Sequence, residues 1–312
     1  MKAFEIKVEG KSLDYRVPGM LDLADVRAFF ERKYEVLKIW EGGRHVLAGV
    51  KKDGSVLFLK LATSEGISAV TKVEYDWNDD FNKNAGRKAH FWVPINFDCG
   101  FYKNKFFYLI TDKFKGRLLV NWPGSKKTDF MSGNIDQILD FCEFIQKLQL
   151  RHLVDRFYLD QNYRDYFVSK TKAWLDAVPD DVRRKYDLES LFEIVKNGAY
   201  DLVSRPRHGD FAPWHIFSLG EGKFGLIDGE HALAGGVENY DICYFIQRVF
   251  SVLEAPDVAE QIFDKILRRD YKVDKLKTVL AARAIGGFLD ESFNKQANYS
   301  FANKFKERVL NL

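Results

Sequence analysis

Two short stretches dominate the second half of the chain: HGDFAPWH at residues 208–215 and GLIDGE at residues 225–230. They contain two aspartates, Asp210 in a loop and Asp228 at the end of a short apolar run that is typical of a strand. A loop carboxylate opposite a strand-end carboxylate suits phosphoryl transfer. One can orient or deprotonate the attacking hydroxyl, while the other holds the Mg²⁺ that bridges nucleotide phosphates.

A lysine and a glutamate upstream fit the same chemistry. Lys60 ends an apolar strand pattern, and Glu74 lies in a helix that the spacing predicts over residues 68–82. A lysine that is held by a helical glutamate and directed at phosphates commonly accompanies such a pair of aspartates. Glu65 and Asp76 are nearby carboxylates, so the partner of the lysine is not settled by spacing alone.

Taken together, these residues resemble the aminoglycoside phosphotransferase and choline kinase family, which has a protein-kinase-like fold. The matched positions are His208, Asp210, Pro213, residues 227–230, Lys60 and Glu74. The resemblance extends over about residues 35 to 295, with the motifs in the family's order. It implies ATP as the phosphoryl donor, Mg²⁺ as the metal with Mn²⁺ as an alternative, and a small-molecule hydroxyl as the acceptor.

The resemblance also implies residue roles. Asp210 would be the catalytic group that accepts or orients the hydroxyl proton, and His208 would brace its loop by hydrogen bonds. Asp228 would bind the metal. Asp241 would cap the start of the next helix. Glu230 either reaches the metal or substrate or is an outward-facing charge.

The chain departs from the family at His215, where the family has a metal-binding asparagine. Mg²⁺ prefers oxygen ligands, whereas an imidazole nitrogen suits Mn²⁺ and softer ions better. His215 is therefore a ligand for a different metal, a hydrogen-bond donor, or a sign that the second metal site has been lost.

Two segments are expected to contact the nucleotide. Gly42 and Gly43 would cover the phosphates, although two glycines form a short loop for that role. Backbone groups from Ile110 to Asp112 would meet the edge of the adenine where the chain passes between lobes. Backbone recognition leaves little side-chain signal, so the residue that binds the base stays open.

The pattern predicts an α+β protein with two lobes. Residues 1–112 would form a nucleotide-binding lobe with a five-stranded antiparallel sheet and one helix, and residues 113–312 a mainly helical lobe with the catalytic hairpin and substrate site. The predicted strands of the sheet are residues 35–40, 46–50, 56–61, 91–97 and 105–111, after a hairpin over residues 4–17. The other predicted helices are residues 21–34, 135–150, 163–175, 187–198, 239–253 and 274–289, the last capped by Asp274.

Composition argues against several classes of protein. The 312 residues carry a net charge of +3, too balanced for a nucleic-acid-binding protein. No apolar run is long enough to span a membrane, and residues 1–7 do not resemble a signal peptide, so we expect a cytoplasmic protein with no membrane partner. Three widely spaced cysteines argue against a disulfide framework. Oligomeric state is not predicted.

Two other functions remain. A kinase-like binding module with weak or no catalysis is favoured by His215, but such a module needs neither aspartate nor Lys60. A protein kinase is disfavoured, because the loop has His-Gly-Asp and no Ala-Pro-Glu segment follows Asp228. The acceptor stays open among aminoglycosides, sugars, amino alcohols and nucleosides. Carboxylates within residues 160–165 and 290–291 would suit a cationic acceptor, or are solvated helix faces.

Overall fold

The computed structural model describes residues 2–85, 90–150, 153 and 161–312. The strands in this part of the chain are β1 (Glu5–Val8), β2 (Lys11–Asp14), β3 (Glu35–Gly42), β4 (His45–Lys52), β5 (Ser55–Ala62), β6 (Phe91–Trp92), β7 (Asn96–Tyr102), β8 (Phe106–Asp112), β9 (Arg117–Leu118), β10 (Ser204–Arg207), β11 (Ile216–Gly220), β12 (Lys223–Leu226) and β13 (Leu233–Val237). The α-helices are α1 (Leu23–Phe30), α2 (Glu65–Ala85), α3 (Asp129–Ser132), α4 (Ile135–Gln146), α5 (Tyr163–Ala177), α6 (Asp180–Lys185), α7 (Leu188–Gly198), α8 (Tyr240–Gln247), α9 (Pro256–Leu267), α10 (Val273–Ser292) and α11 (Ser300–Leu310).

The predicted five-stranded antiparallel sheet is confirmed, with the strand order β3-β4-β5-β8-β7. Its central hairpin turns at Asp53 and Gly54, which both have a positive φ (48° and 79°). Two left-handed residues give the turn whose twist matches that of the flanking strands, and the register follows from it. Lys60 therefore pairs with Leu47 on β4.

One predicted strand is wrong. Residues 91–97 divide around Pro94, which has no N–H to donate to a ladder. The first part, β6, pairs in parallel with β12, and the ring of Phe91 stacks on Phe141 with centroids 4.5 Å apart. Only β7, which begins at Asn96, joins the five-stranded sheet. The predicted boundary between lobes at residue 112 coincides with the end of β8 and stays a prediction.

The helix α2 packs on the five-stranded sheet and carries Glu74 on its buried face. It begins three residues earlier and ends three later than the predicted 68–82, because its ends are polar and lie outside the apolar periodicity. Its Trp77 and Phe81 are fully buried in the core shared with the helical half of the chain.

In the helical half, α10 is the central helix and packs on α5, α7, α8 and α11. Its predicted cap is wrong, because Lys272 occupies the N-cap position and Asp274 lies in the first turn, where its charge still favours the helix dipole. The predicted helix over residues 239–253 ends as α8 at Gln247 and continues as a π-helical turn over Arg248–Val252. None of the described helices is long and apolar enough to cross a membrane.

Phe211, directly after Asp210, links the loop of that aspartate to the core. It is fully buried, with its ring centroid 5.6 Å from that of Phe141 and 5.9 Å from that of Phe245. We predict that Phe211→Ala lowers the free energy of unfolding by about 3–5 kcal/mol, because it removes a buried ring and leaves a cavity. Chemical denaturation of the wild type and the variant measures this difference in the free energy of unfolding.

The matched control is Tyr200→Ala, at a ring that is 64% exposed, which should change stability by about 0.5 kcal/mol or less. Equal stability of the two variants would contradict the role of Phe211 in the core.

Candidate active site

Lys60 lies at the centre of a buried cluster of carboxylates. Its Nζ is 2.7 Å from Glu74 Oε2, 2.5 Å from Asp228 Oδ1 and 2.6 Å from Glu230 Oε1. The strand β5 supplies the lysine and α2 the glutamate Glu74, while the other two carboxylates follow β12. The cluster thus joins the five-stranded sheet to the hairpin of the helical half.

The charges in this cluster fix one another's ionisation. Burial alone would lower the pKa of Lys60, but Asp228, Glu230 and Glu74 outweigh it and raise that pKa well above its usual value. Burial opposes ionisation of Asp228 as well, but Lys60, followed by His215 and Arg44, holds its pKa well below the usual range. Both groups are therefore charged at neutral pH.

Negative charge exceeds positive charge here. Arg44 Nη2 lies 2.6 Å from Glu230 Oε2, and Glu230 is only 1% exposed, so the outward-facing alternative for it is wrong. Burial, aided by Asp228 and Glu230 and opposed by Lys60, raises the pKa of Glu74 to about 7. With Asp210 nearby, four carboxylates face two cations, which is an environment that a divalent cation would neutralise.

The loop that carries Asp210 is held through its backbone. The carboxylate of Asp241 accepts hydrogen bonds from the N–H groups of His208 and Gly209, both at 2.8 Å. The predicted cap is therefore wrong: Asn239 occupies the N-cap position of α8, and Asp241 reaches back to the loop instead. Gly209 has a φ of 85°, and a Cβ there would lie 2.2 Å from the carbonyl oxygen of His231, so only glycine fits.

His208 braces the loop by the predicted hydrogen bonding only through its backbone N–H, which donates to Asp241, whereas its side chain acts by packing. Its ring is fully buried edge-on to Trp77, with centroids 5.5 Å apart. Neither ring nitrogen has a hydrogen-bond partner among the described residues. Burial lowers the pKa of His208 to about 3, so the ring is neutral and in no position to shuttle protons to Asp210 at neutral pH.

His215 lies between the two aspartates. Its Nδ1 is 3.0 Å from the backbone oxygen of Asp210, and its Nε2 is 3.5 Å from Asp228 Oδ2. When Nδ1 donates to this carbonyl, Nε2 faces the carboxylate of Asp228. One ligand atom from each of Asp210, His215 and Asp228 lies within 4.8 Å of the others, so the three residues fit a metal ion.

Asp210 is partly buried and ionised. Burial opposes its ionisation, but His215 and then His231 hold its pKa below the usual value despite the charge of Asp228. The carboxylate faces a cavity of about 240 Å³ in the helical half, and we name this the acceptor cavity. Its lining includes Asp290, as the sequence suggested, whereas Asp160 lies outside the described residues.

A second cavity of about 370 Å³, here named the donor cavity, lies between the five-stranded sheet and β12. Lys60, Glu74, Asp228, Gly42 and Asp112 line it. The nucleotide contacts expected of Gly43 and of the Ile110 backbone stay predictions: Gly43 forms the turn after β3 with a φ of 71°, and Ile110 lies on β8 with its side chain fully buried in the core.

Sequence reasoning missed residues that the fold brings to this site from a distance. Arg44 lines both cavities, and Tyr15 and Arg16 line the acceptor cavity although they follow the N-terminal hairpin. The only signal for Arg44 was its place beside the two glycines of the β3–β4 turn. No sequence signal pointed to Tyr15 and Arg16, because tertiary packing brings them to the cavity that Asp210 faces.

Comparison with known proteins gives matches among solved structures only. No protein-family model matches the chain, and no curated protein does. A thermostable mutant of aminoglycoside phosphotransferase APH(4)-Ia, in a ternary complex with AMP-PNP and hygromycin B, is 16% identical with a TM-score of 0.67. That match covers 92% of this chain and 98% of the other.

Two further structures are similar. Choline kinase LicA from Streptococcus pneumoniae is 13% identical with a TM-score of 0.55, over 92% of this chain and 96% of that one. An ethanolamine kinase from Plasmodium vivax is 15% identical with a TM-score of 0.54, over 89% and 81%. The resemblance drawn from the sequence is thus confirmed at the level of the fold. The chain has the protein-kinase-like fold of the aminoglycoside phosphotransferase and choline kinase structures.

Proposed function

We propose that the protein is an ATP-dependent kinase of a small hydroxylated molecule. The observation that supports this most is the meeting of Lys60, Asp228 and Asp210 where the donor and acceptor cavities adjoin. A scaffold protein requires no such arrangement, and the similar structures include complexes with ADP and with AMP-PNP.

In this proposal, residues of the donor cavity position the nucleotide. Lys60, held by Glu74, contacts the phosphates, while Gly42 and the backbone near Asp112 lie beside the nucleotide. Asp228 and His215 would hold the metal, with water as its remaining ligands. A divalent ion bound there supplies charge neutralisation of the phosphates, and Mg²⁺ or Mn²⁺ fits the donor set.

On the acceptor side, Asp210 orients the hydroxyl and receives its proton. The hydroxyl oxygen forms a bond to the γ-phosphorus as the bond between that phosphorus and the β,γ-bridging oxygen breaks, and ADP leaves. Arg44 lines both cavities, so its guanidinium is placed to stabilise the charge of the transferred group. Positioning and charge neutralisation then provide most of the rate enhancement.

Nucleotide binding should depend on a divalent metal and on Asp228. We predict that AMP-PNP with Mg²⁺ or Mn²⁺ raises the Tm of the protein, since a ligand that binds only the folded state stabilises it. Asp228→Ala should remove the metal-dependent part of the shift. The measurement is a thermal-shift titration with each metal and with none.

Asp270→Ala is the matched control, because that carboxylate is 97% exposed and forms only a surface ion pair. An undiminished shift in Asp228→Ala would refute the metal role of Asp228. A shift without any phosphoryl transfer would favour the kinase-like binding module.

Turnover should depend on Asp210. We predict that Asp210→Asn lowers kcat by about 10²- to 10⁴-fold, since the amide cannot accept the hydroxyl proton. The affinity for AMP-PNP should stay unchanged. The measurement is ADP formation with a panel of sugars, sugar acids, sugar phosphates, amino alcohols and hygromycin B, alongside AMP-PNP titration. Wild-type turnover in this variant would exclude Asp210 as the base.

The metal preference should depend on His215. We predict that His215→Asn shifts the preference towards Mg²⁺, because an amide oxygen replaces the Nε2 that faces Asp228. The ratio of AMP-PNP affinities with Mn²⁺ and with Mg²⁺ reports this change. An unchanged ratio would show that the ring binds no metal and serves only to hold the backbone of Asp210.

A further inference from the structure

The acceptor cavity is lined by an unusual set of cations. Lys170 on α5, Arg207 at the end of β10 and Arg283 on α10 all line it together with Asp210. Each of the three is buried to more than nine-tenths of its surface. They come from three separate elements, so the cavity gathers positive charge through the fold and not through one basic segment.

These three cations have no carboxylate partner within ion-pair distance among the described residues, whereas two other arginines of the cavity do. Arg44 pairs with Glu230 at 2.6 Å, and Arg248 pairs with Asp290 at 2.7 Å. The carboxylates that the sequence pointed to at residues 290–291 are thus partly neutralised by the protein itself.

Neutral partners hold the three cations instead. Lys170 Nζ lies 3.2 Å from the hydroxyl of Tyr15, and Arg283 Nη1 lies 3.0 Å from that of Tyr240. The guanidinium of Arg207 lies 3.7 Å from the centroid of the same Tyr240 ring. Aromatic faces attract a cation and fix its position but leave its charge uncompensated.

This arrangement is costly for folding. A buried, unpaired cation loses several kcal/mol of hydration. Burial, and then the charge of Arg207, lowers the pKa of Lys170 to about 7, with Glu5 and Asp14 opposing this from the N-terminal hairpin. A site that keeps such groups has a use for them beyond stability, and a bound anion would supply the missing partner.

We propose that the acceptor is a hydroxylated anion whose carboxylate or phosphate group binds Lys170, Arg207 and Arg283 while its hydroxyl meets Asp210. This inference rests on the proposed kinase function and names its substrate class. The planar guanidinium group of an arginine can donate two parallel hydrogen bonds to either a carboxylate or a phosphate. As in the proposed reaction, the hydroxyl proton passes to Asp210, the γ-phosphoryl group passes to the hydroxyl oxygen, and ADP leaves. A cationic acceptor such as choline would meet uncompensated positive charge.

Oxyanion binding is tested first and without a substrate. Inorganic sulfate, as the phosphate mimic, and malonate, as the carboxylate mimic, are titrated by calorimetry into the protein, alone and saturated with AMP-PNP and metal. We expect millimolar binding that persists with AMP-PNP present. Lys170→Met and Arg283→Gln should each weaken it by about tenfold to a hundredfold, the loss of one charge-assisted contact.

Lys306→Met is the matched control. Lys306 is also buried (7% exposed), but it donates to the carbonyl of Tyr186 outside the cavity, so anion affinity should stay at the wild-type value. The Tm of free Lys170→Met should not fall, because an unpaired buried charge is removed. If Lys170→Met or Arg283→Gln fails to fold, the titration is made with Arg207→Gln instead. Equal anion affinity in wild type and variants, or no anion binding, overturns the proposal.

The acceptor itself is tested by ADP formation with two sets of compounds. Sugar phosphates and sugar acids form the anionic set, and choline, ethanolamine and hygromycin B the cationic set. Turnover of the anionic set supports the inference, and turnover of the cationic set alone overturns it. If AMP-PNP fails to bind, the kinase proposal fails, while sulfate and malonate binding still decides the charge of the cavity.

Discussion

The site depends on one buried lysine that is shared by three carboxylates. Lys60 contacts Glu74 on α2 and both Asp228 and Glu230 after β12, so a single cation joins the sheet to the hairpin. Removing it would leave Glu74 and Asp228 without a lysine partner and Glu230 with Arg44 as its cation, which is more costly than losing one ordinary surface ion pair. The relative position of the two halves of the site therefore follows from electrostatics as much as from apolar packing.

The two cavities differ in charge. The donor cavity has an excess of carboxylates around Lys60, and the acceptor cavity has an excess of cations around Asp210. Arg44 lies at both and is neutralised by Glu230. A divalent cation would provide the positive charge that the donor cavity lacks, and an anion would provide the negative charge that the acceptor cavity lacks.

Much of this was predictable from the sequence, for local reasons. The strand pattern follows from periodicity, and the pairing of Lys60 with Glu74 follows from the family resemblance, since spacing alone left Glu65 and Asp76 as alternatives. The role of Asp241 was not predictable, because a carboxylate near a helix start has the same pattern whether it caps that helix or reaches a distant loop. Lys170 was missed because its helix has a polar sequence, and only packing shows the side chain to be buried. Arg283 did carry a signal that went unused, since it is the only charged residue in the apolar run of residues 278–289.

The N-terminal hairpin ends in residues that form one wall of the acceptor cavity. The guanidinium of Arg16 lies between the rings of Phe4 and Phe293, 4.3 Å and 4.2 Å from their centroids. These contacts attach the hairpin to the end of α10. Phe4 and Arg16 line the acceptor cavity and are absent from the lining of the donor cavity. The hairpin thus shapes the acceptor cavity without contributing to the donor cavity. Exchange of this one hairpin would remodel a wall of the first cavity and replace no residue that lines the second.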